Sequence, residues 1–303
     1  MITEWVSLRA ATSARSTRPF LKWYGGKTRL IGEISKYIPE YSGTYFEPFI
    51  GGGSVLFFLN PRRSIISDIN PALILSYRAV RNNPKELAER LSKFPITTET
   101  IYYEKVKEFN SYLYKLYNNI ELSDSDILNL AALFIWINHT CYNGRYNINR
   151  RYQFVTTYNK VDNHTVYNMD RDNLNIMSCS KVLRHAEIYN CDFRKLLDMT
   201  KDEDFVYLDP PYDPPNQNRK YSSDSKYSMY TSQGFTRSDQ MDLSRIVKIK
   251  HKSGVKFIIS GNDTPFLREL YKDYEMHSIK VLRNISADMK FRKETNELIV
   301  VMK

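Results

Sequence analysis

The tetrapeptide Asp209-Pro210-Pro211-Tyr212 follows directly on the apolar run Phe205-Val206-Tyr207-Leu208. A strand that ends in an acid, a stiff turn and an aromatic ring puts a hydrogen-bond acceptor and a stacking face at the rim of a sheet, where α/β proteins bind ligands. Such a set suits an exocyclic amine on a nucleobase. The lone pair of that nitrogen is delocalised into the ring, so it is a poor nucleophile. A carboxylate at Asp209 and the main-chain carbonyl of Pro210, each accepting one N–H, favour a pyramidal nitrogen whose lone pair faces an incoming methyl group. The prolines stiffen the turn and remove competing backbone donors, and Tyr212 offers a face for the base. An Asp-Pro turn after a strand is common by itself, so the full tetrapeptide and its company decide the reading.

That company lies far upstream. Thr44-Tyr45-Phe46-Glu47-Pro48-Phe49-Ile50-Gly51-Gly52-Gly53-Ser54 reads as a strand, a glycine turn and a helix start, and such glycines let backbone approach a ligand closely. Leu56 stands where a dinucleotide fingerprint needs its third glycine, which disfavours a pyrophosphate ligand. Asp68 ends the next apolar strand, where an acid accepts hydrogen bonds from ribose hydroxyls; a helix cap before Pro71 is the competing use. At the N-terminal side, Phe20-Leu21-Lys22-Trp23-Tyr24-Gly25-Gly26-Lys27 only superficially matches a P-loop. Lys27 can instead hold a carboxylate, and Trp23 can pack on an adenosine or a sulfonium.

The elements that must position these residues are legible as well. Short β-rich runs at Thr44–Phe49, Ser64–Ser67, Ala186–Tyr189, Phe205–Leu208, Val255–Ser260, Glu275–Leu282 and Glu297–Met302 alternate with helical patterns, which predicts a mostly parallel sheet with helices on its faces. The middle is mainly helical, with Ala72–Arg81, Lys85–Phe94, Thr100–Tyr117 and Ser125–Thr140, and reads as an insertion between two parts of one sheet. Ser123 or Asp124 caps the last of these, and Asn82-Asn83-Pro84 breaks the first from the second. Residues 1–19 are expected to form a disordered extension, with a transit peptide as the alternative.

With 303 residues, 42% hydrophobic and 26% charged, the chain is expected to fold as a globular protein. Its formal charge of +10 attracts polyanions, nucleic acid or an anionic membrane surface. The longest mainly apolar run, Leu128 to Ile137, is about half the roughly 20 residues that cross a bilayer, so no membrane span is expected. Cys141, Cys179 and Cys191 form neither a disulfide framework nor a CxxC pattern, which fits an intracellular, reducing compartment. The 23 tyrosines are useful both in cores and for stacking on bases; composition alone favours an ordinary core and surface role, and position decides.

Taken in order, Lys22-Trp23-Tyr24-Gly25-Gly26-Lys27, Phe46 to Ser54 and Asp209-Pro210-Pro211-Tyr212 resemble the motifs of Dam-type DNA adenine-N6 methyltransferases of the alpha arrangement. The resemblance runs from about Arg18 to the C-terminus, including Tyr230 to Phe235 with Asp239-Gln240, and Ser260-Gly261-Asn262-Asp263. It implies a Rossmann-like class I methyltransferase sheet with helices on both faces, an S-adenosylmethionine-binding catalytic domain over 20–70 and 182–303, and a target-recognition domain inserted over 71–181. It further implies that Trp23, Lys27, Asp68 and Asp209 contact S-adenosylmethionine, that Phe46, Gly51 and Gly53 shape its pocket, and that Asp192 and Phe193 lie near its adenine. Alone, the last pair reads equally well as a helix cap and a core phenylalanine. The implied substrate is double-stranded DNA with its target adenine flipped out, since a stacked, paired N6 cannot meet a methyl donor. No metal is needed for this chemistry. A cognate restriction endonuclease and a regulatory mark are both compatible settings.

Target reading falls by the same resemblance to Tyr142, Asn143, Arg145 and Asn147, with Arg150 and Arg151 read as phosphate contacts. Relatives that methylate GATC read Asn-Gly-Leu-x-Arg-x-Asn and then Gly-x-Phe-Asn. Here Asn147 takes the arginine position, Tyr152 the glycine and Val155 the final asparagine, so GATC is only one candidate target. Arg219, Lys220, Lys226 and Arg237 in a long polar loop, and Lys290, Arg292 and Lys293 nearer the C-terminus, are further candidate DNA contacts. The competing functions are an RNA adenine or cytosine-N4 methyltransferase, and a DNA-binding protein without turnover.

Overall fold

A computed structural model of the chain describes residues 17–23, 25–95, 98–160, 169–212, 235–282 and 294–303. The expected extension up to residue 16, most of the long loop after Tyr212, and Lys290, Arg292 and Lys293 lie outside the described residues. Seven strands, β1 (Tyr45–Glu47), β2 (Ser64–Asp68), β3 (Ala186–Asn190), β4 (Phe205–Leu208), β5 (Lys256–Asn262), β6 (Glu275–Leu282) and β7 (Glu294–Met302), form one sheet. Their order is β3-β2-β1-β4-β5-β7-β6. The first five pair in parallel, and β7 runs antiparallel to both β5 and β6. All seven runs expected as strands are strands, β1 shorter than expected and β2, β3, β5 and β7 longer, β7 starting at Glu294. The chain winds outward from β1 to β3 and then restarts beside β1 with β4, so the order reverses between β1 and β4. Crevices for ligands open at such a point.

The helices are α1 (Ile31–Ile34), α2 (Ser54–Leu59), α3 (Pro71–Asn82), α4 (Pro84–Ser92), α5 (Glu99–Tyr117), α6 (Asp124–Thr140), α7 (Met169–Leu183), α8 (Phe193–Asp198), α9 (Arg237–Lys252) and α10 (Pro265–Leu270). Asn70 caps α3 by accepting from the amides of Ala72 and Leu73, with Pro71 preset at its first position. Of the two candidate caps for α6, Ser123 is used, in a reciprocal box with Asp126. The apolar run inside α6 is buried on all sides, as expected of a core helix. No helix among the described residues is long and apolar enough to cross a membrane.

Side chains alternate across the sheet. Tyr45, Phe205, Tyr207, Ile258, Ile299 and Val301 enter the core beneath α3 to α7. Phe46, Val206, Leu208, Phe257, Ile259, Leu298 and Val300 enter a second core with α8, α9 and α10. The helical insertion therefore shares its core with one sheet face, and α3 and α7 lie against β3. At that edge of the sheet, the outward carbonyls of Ile188 and Ala186 accept from the guanidinium groups of Arg78 and Arg81, each at 2.9 Å.

Candidate active site

The same alternation collects polar groups where β1 and β4 part. Glu47 closes β1 in phase with Tyr45, Asp209 follows β4 in phase with Tyr207, Ser260 lies in phase with Ile258, and Glu297 in phase with Ile299. All four side chains belong to one face of the sheet. Into this group the 3-10 turn Lys27–Arg29 inserts Lys27, which is only 3% exposed. Its ammonium donates to both oxygens of Asp209 at 2.6 Å, to the Tyr212 hydroxyl at 2.7 Å and to the carbonyl of Gly25 at 2.9 Å. Ser260 donates to Asp209 at 3.1 Å and shares a 2.8 Å hydrogen bond with Tyr207. Tyr212 donates to both oxygens of Glu297, at 2.9 and 3.0 Å.

Burial alone pulls the Lys27 ammonium down, but Asp209 above all, with Tyr207 and Glu297, outweighs it and lifts it above its ordinary value. Burial raises the Asp209 carboxyl, and Lys27 holds that rise in check. Asp209 keeps 21% of its side chain exposed, so the pair forms the floor of an accessible crevice and not a sealed core contact. Glu47 is deeper. Burial pushes it to about 8 against the hydrogen bonds it accepts from the Tyr45 hydroxyl and the Leu56 amide, so it is largely neutral at pH 7.

The glycine turn follows Glu47. Gly51 has φ +44°, and a Cβ there would lie 2.7 Å from the Trp23 indole; Gly53 has φ +70°, and a Cβ there would lie 2.7 Å from the Tyr77 hydroxyl. Both positions thus need glycine for conformation and for space. Asp68 accepts from the Gly51 amide at 3.2 Å and from the Asn70 amide at 3.0 Å, one on each oxygen. Burial raises it to about 6. Asp68 therefore faces the glycine turn and supports the residue before α3, while the cap of α3 that was the competing use of Asp68 belongs to Asn70. The indole of Trp23 lies nearly parallel to the rings of Phe134 and Tyr146, 6.4 and 6.3 Å away, and so is held between the glycine turn and the helical insertion.

Among the residues expected at the cofactor, two have rings buried in the second core. Phe46 and Phe193 are buried in the second core, on the sheet face opposite Lys27, with Phe193 packed beside Phe49 and Phe235. Asp192 caps α8 through the Arg194 amide at 2.9 Å, and Arg194 ties that cap to Asp239 and Asp242 on α9. The cap-and-core arrangement is therefore present at 192 and 193.

The expected recognition segment is a two-stranded ribbon, closed by bridges between Cys141 and Tyr158 and between Ile148 and Phe154. Tyr146, Ile148 and Phe154 point inward. Asn143 is exposed, Tyr142, Arg145 and Asn147 are half-buried, and Arg150 and Arg151 stand exposed at the tip. Tyr152, in the position where relatives carry glycine, adopts φ +57° and stacks on Tyr117 at 4.2 Å. Asn138 of α6 joins this ribbon to the N-terminal motif: it accepts from the Lys22 amide at 2.8 Å and donates to the carbonyls of Lys22 and Gly144 at 2.8 and 3.1 Å. The sequence reading missed Asn138, Ser260 and Glu297. For Asn138 and Ser260 the available signal was a polar residue within or closing an apolar run; Glu297 gave none.

The sheet order, its single antiparallel strand and the turn after β1 define a Rossmann-like methyltransferase fold. The profile of D12 class N6 adenine-specific DNA methyltransferases matches residues 23–285. The chain belongs to that family. It is 33% identical to the Type II methyltransferase M.MjaIII of Methanocaldococcus jannaschii over 94% of this chain and 98% of the relative. It is 32% identical to the Type II methyltransferase M1.LlaDCHI of Lactococcus lactis over 93% and 94%. The DNA adenine methylase of Escherichia coli strain K12 is 27% identical over 95% and 96%. The chain is thus an adenine-specific DNA methyltransferase.

Proposed function

We propose that the chain methylates adenine N6 in double-stranded DNA with S-adenosylmethionine as donor, at the crevice between β1 and β4. The observation that carries this reading is the Asp209 carboxylate, fixed by Lys27 and Ser260 at the switch in strand order and followed at once by the Pro210 carbonyl and the Tyr212 ring. The residues fit the donor. Asp68 keeps lone pairs on both oxygens for ribose hydroxyls, and the Gly51 to Gly53 turn, packed on Trp23, presents close backbone beside it.

When bound, S-adenosylmethionine would supply an electrophilic methyl group, its sulfur keeping the electrons of the broken C–S bond and leaving as S-adenosylhomocysteine. The protein's part is to prepare the acceptor. Asp209 and the Pro210 carbonyl each accept one N–H of the adenine amine, so its lone pair turns out of the ring plane, and Tyr212 stacks on the base that has left the duplex. Lys27 keeps Asp209 charged enough to accept. As the nitrogen gains its fourth bond it sheds one proton to solvent, which restores a neutral amine. Asn143, Arg145 and Asn147 on the ribbon read the target, Tyr142 fills the gap left by the base, and Arg150 and Arg151 hold phosphates. Within the expected recognition domain, residues 71–181, the ribbon carries this role while α3 and α7 cover the sheet. A cognate restriction endonuclease is the partner suggested by the Type II names of two relatives.

The test supplies methyl-labelled S-adenosylmethionine with duplex DNA, single-stranded DNA or RNA, followed by digestion and identification of the modified nucleoside. N6-methyladenine from the duplex, abolished in Asp209→Ala, is expected. Label confined to RNA, N4-methylcytosine as the product, or binding without label would each replace this reading. Mapping the label on a random-sequence duplex gives the target site.

A further inference from the structure

We infer that Glu297 is a positioning residue for the base-stacking ring of Tyr212. The inference rests on the reading that Tyr212 stacks on the extruded adenine. Tyr212 follows directly on the rigid Pro210-Pro211 turn, whose Pro211 carbonyl accepts from the buried side chain of Gln240 at 3.0 Å. A phenol at such a place needs its far end fixed if its face is to meet a base in one plane. The hydroxyl supplies that point. It accepts from Lys27 at 2.7 Å and donates to Glu297 at 2.9 and 3.0 Å, so the ring is suspended between a cation on one side and a carboxylate on the other.

Glu297 suits this task by place and by chemistry. It is 3% exposed and sits on β7, between Asn262 at the end of β5 on one side and Ile279 of β6 on the other, so paired strands flank it on both sides. Lys27 is shared between two acids, Asp209 directly and Glu297 through the tyrosine hydroxyl. When the substrate amine takes up acceptor capacity on Asp209, the hydroxyl braced by Glu297 continues to hold the ammonium. One buried acid therefore serves two ends: it sets the plane of the ring, and it keeps Lys27 in place while Asp209 changes partners. An acceptor is needed at this place because a donor would occupy the phenol oxygen's lone pairs that Lys27 uses, and a carboxylate is the stronger acceptor.

The experiment uses the full chain and the duplex site mapped by labelling. Variants Glu297→Ala, Glu297→Gln, Tyr212→Phe and the double Tyr212→Phe/Glu297→Ala are compared for kcat and KM for DNA, for S-adenosylhomocysteine affinity, and for the emission of 2-aminopurine placed at the target adenine. Loss of part of a base–aromatic stack predicts a roughly tenfold fall in kcat/KM for Glu297→Ala. Brighter 2-aminopurine emission, unchanged S-adenosylhomocysteine affinity and a partial rescue in Glu297→Gln, which retains an acceptor oxygen, are expected with it. Because Tyr212→Phe cuts the same link, the double variant should be no worse than the poorer single one. Additive losses, or emission unchanged in Glu297→Ala, would overturn the inference. Retention of methylation in Asp209→Ala would instead overturn the parent reading, so the two failures are separable.

Discussion

Asp68 gives one carboxyl group two opposite pH dependences. Burial lifts it to about 6 from the ordinary 3.8. Since the ionised form offers more lone pairs to ribose hydroxyls and accepts more strongly than the neutral acid, cofactor affinity should fall as pH drops below about 6, by up to roughly tenfold at pH 5 relative to pH 7. Fold stability runs the other way. An acid whose value is raised in the folded state binds more protons there than in the unfolded chain, so stability decreases as pH rises from about 4 to about 6 and is level above. The shift of about two units sets an upper limit near 3 kcal/mol, reduced by the surface that Asp68 keeps at the crevice. Titration calorimetry with S-adenosylhomocysteine between pH 5 and 8, beside urea unfolding over the same range, reads both. Asp68→Asn keeps the shape and an acceptor oxygen, and both pH trends should flatten in it. If wild-type affinity is level from pH 5 to 7, or the variant titrates as the wild type does, the assignment of Asp68 to ribose is wrong.

Gly51→Ala brings a Cβ to 2.7 Å from the Trp23 indole at a left-handed φ. About 1–2 kcal/mol of backbone strain with overpacking should lower both thermal stability and cofactor affinity, read by calorimetry. Tyr152→Gly relieves a strained φ of +57° and loses the stack on Tyr117. These effects are each about 1 kcal/mol and oppose one another, so unfolding midpoints should move little while DNA affinity records any displacement of the ribbon tip. Arg150→Ala and Arg151→Ala should each reduce the slope of log affinity against log salt by about 1 without changing which site is methylated. A changed methylation site in either variant would make that arginine a reader of bases.

Much of this molecule was legible before its structure. The strands β1 to β7 announced themselves as short β-branched or aromatic runs ended by turn residues, and the break at Asn83-Pro84 followed from proline's effect on its predecessor. The meeting of Lys27 with Asp209 joins residues far apart in sequence, and only the motif order hinted at it. Phe46 and Phe193 show where motif reading stops: the alternation of β1 turns the first ring toward the second core, and the first turn of α8 turns the other into the same core. Glu297 was invisible for a related reason. Asn296-Glu297 reads as the polar start of a strand, and only the insertion of β7 between β5 and β6 carries that acid to the crevice. Asp68 and Asp192 illustrate a third case, in which the end of a parallel strand runs into the next helix: Asp192 caps α8, whereas beyond Asp68 the cap of α3 falls to Asn70.

The guanidinium groups over the β3 edge bear on how copies of this protein meet one another. An open strand is ordinarily a template for any foreign strand that arrives. Here the acceptors of Ala186 and Ile188 already have donors, and those donors are cations on a chain of formal charge +10. A strand approaching that border meets Arg78 and Arg81 in place of unpaired carbonyls, and a second copy brings like charge with it. The border thus acts as a built-in guard against end-to-end sheet growth, useful to a basic protein that polyanionic DNA concentrates along its length.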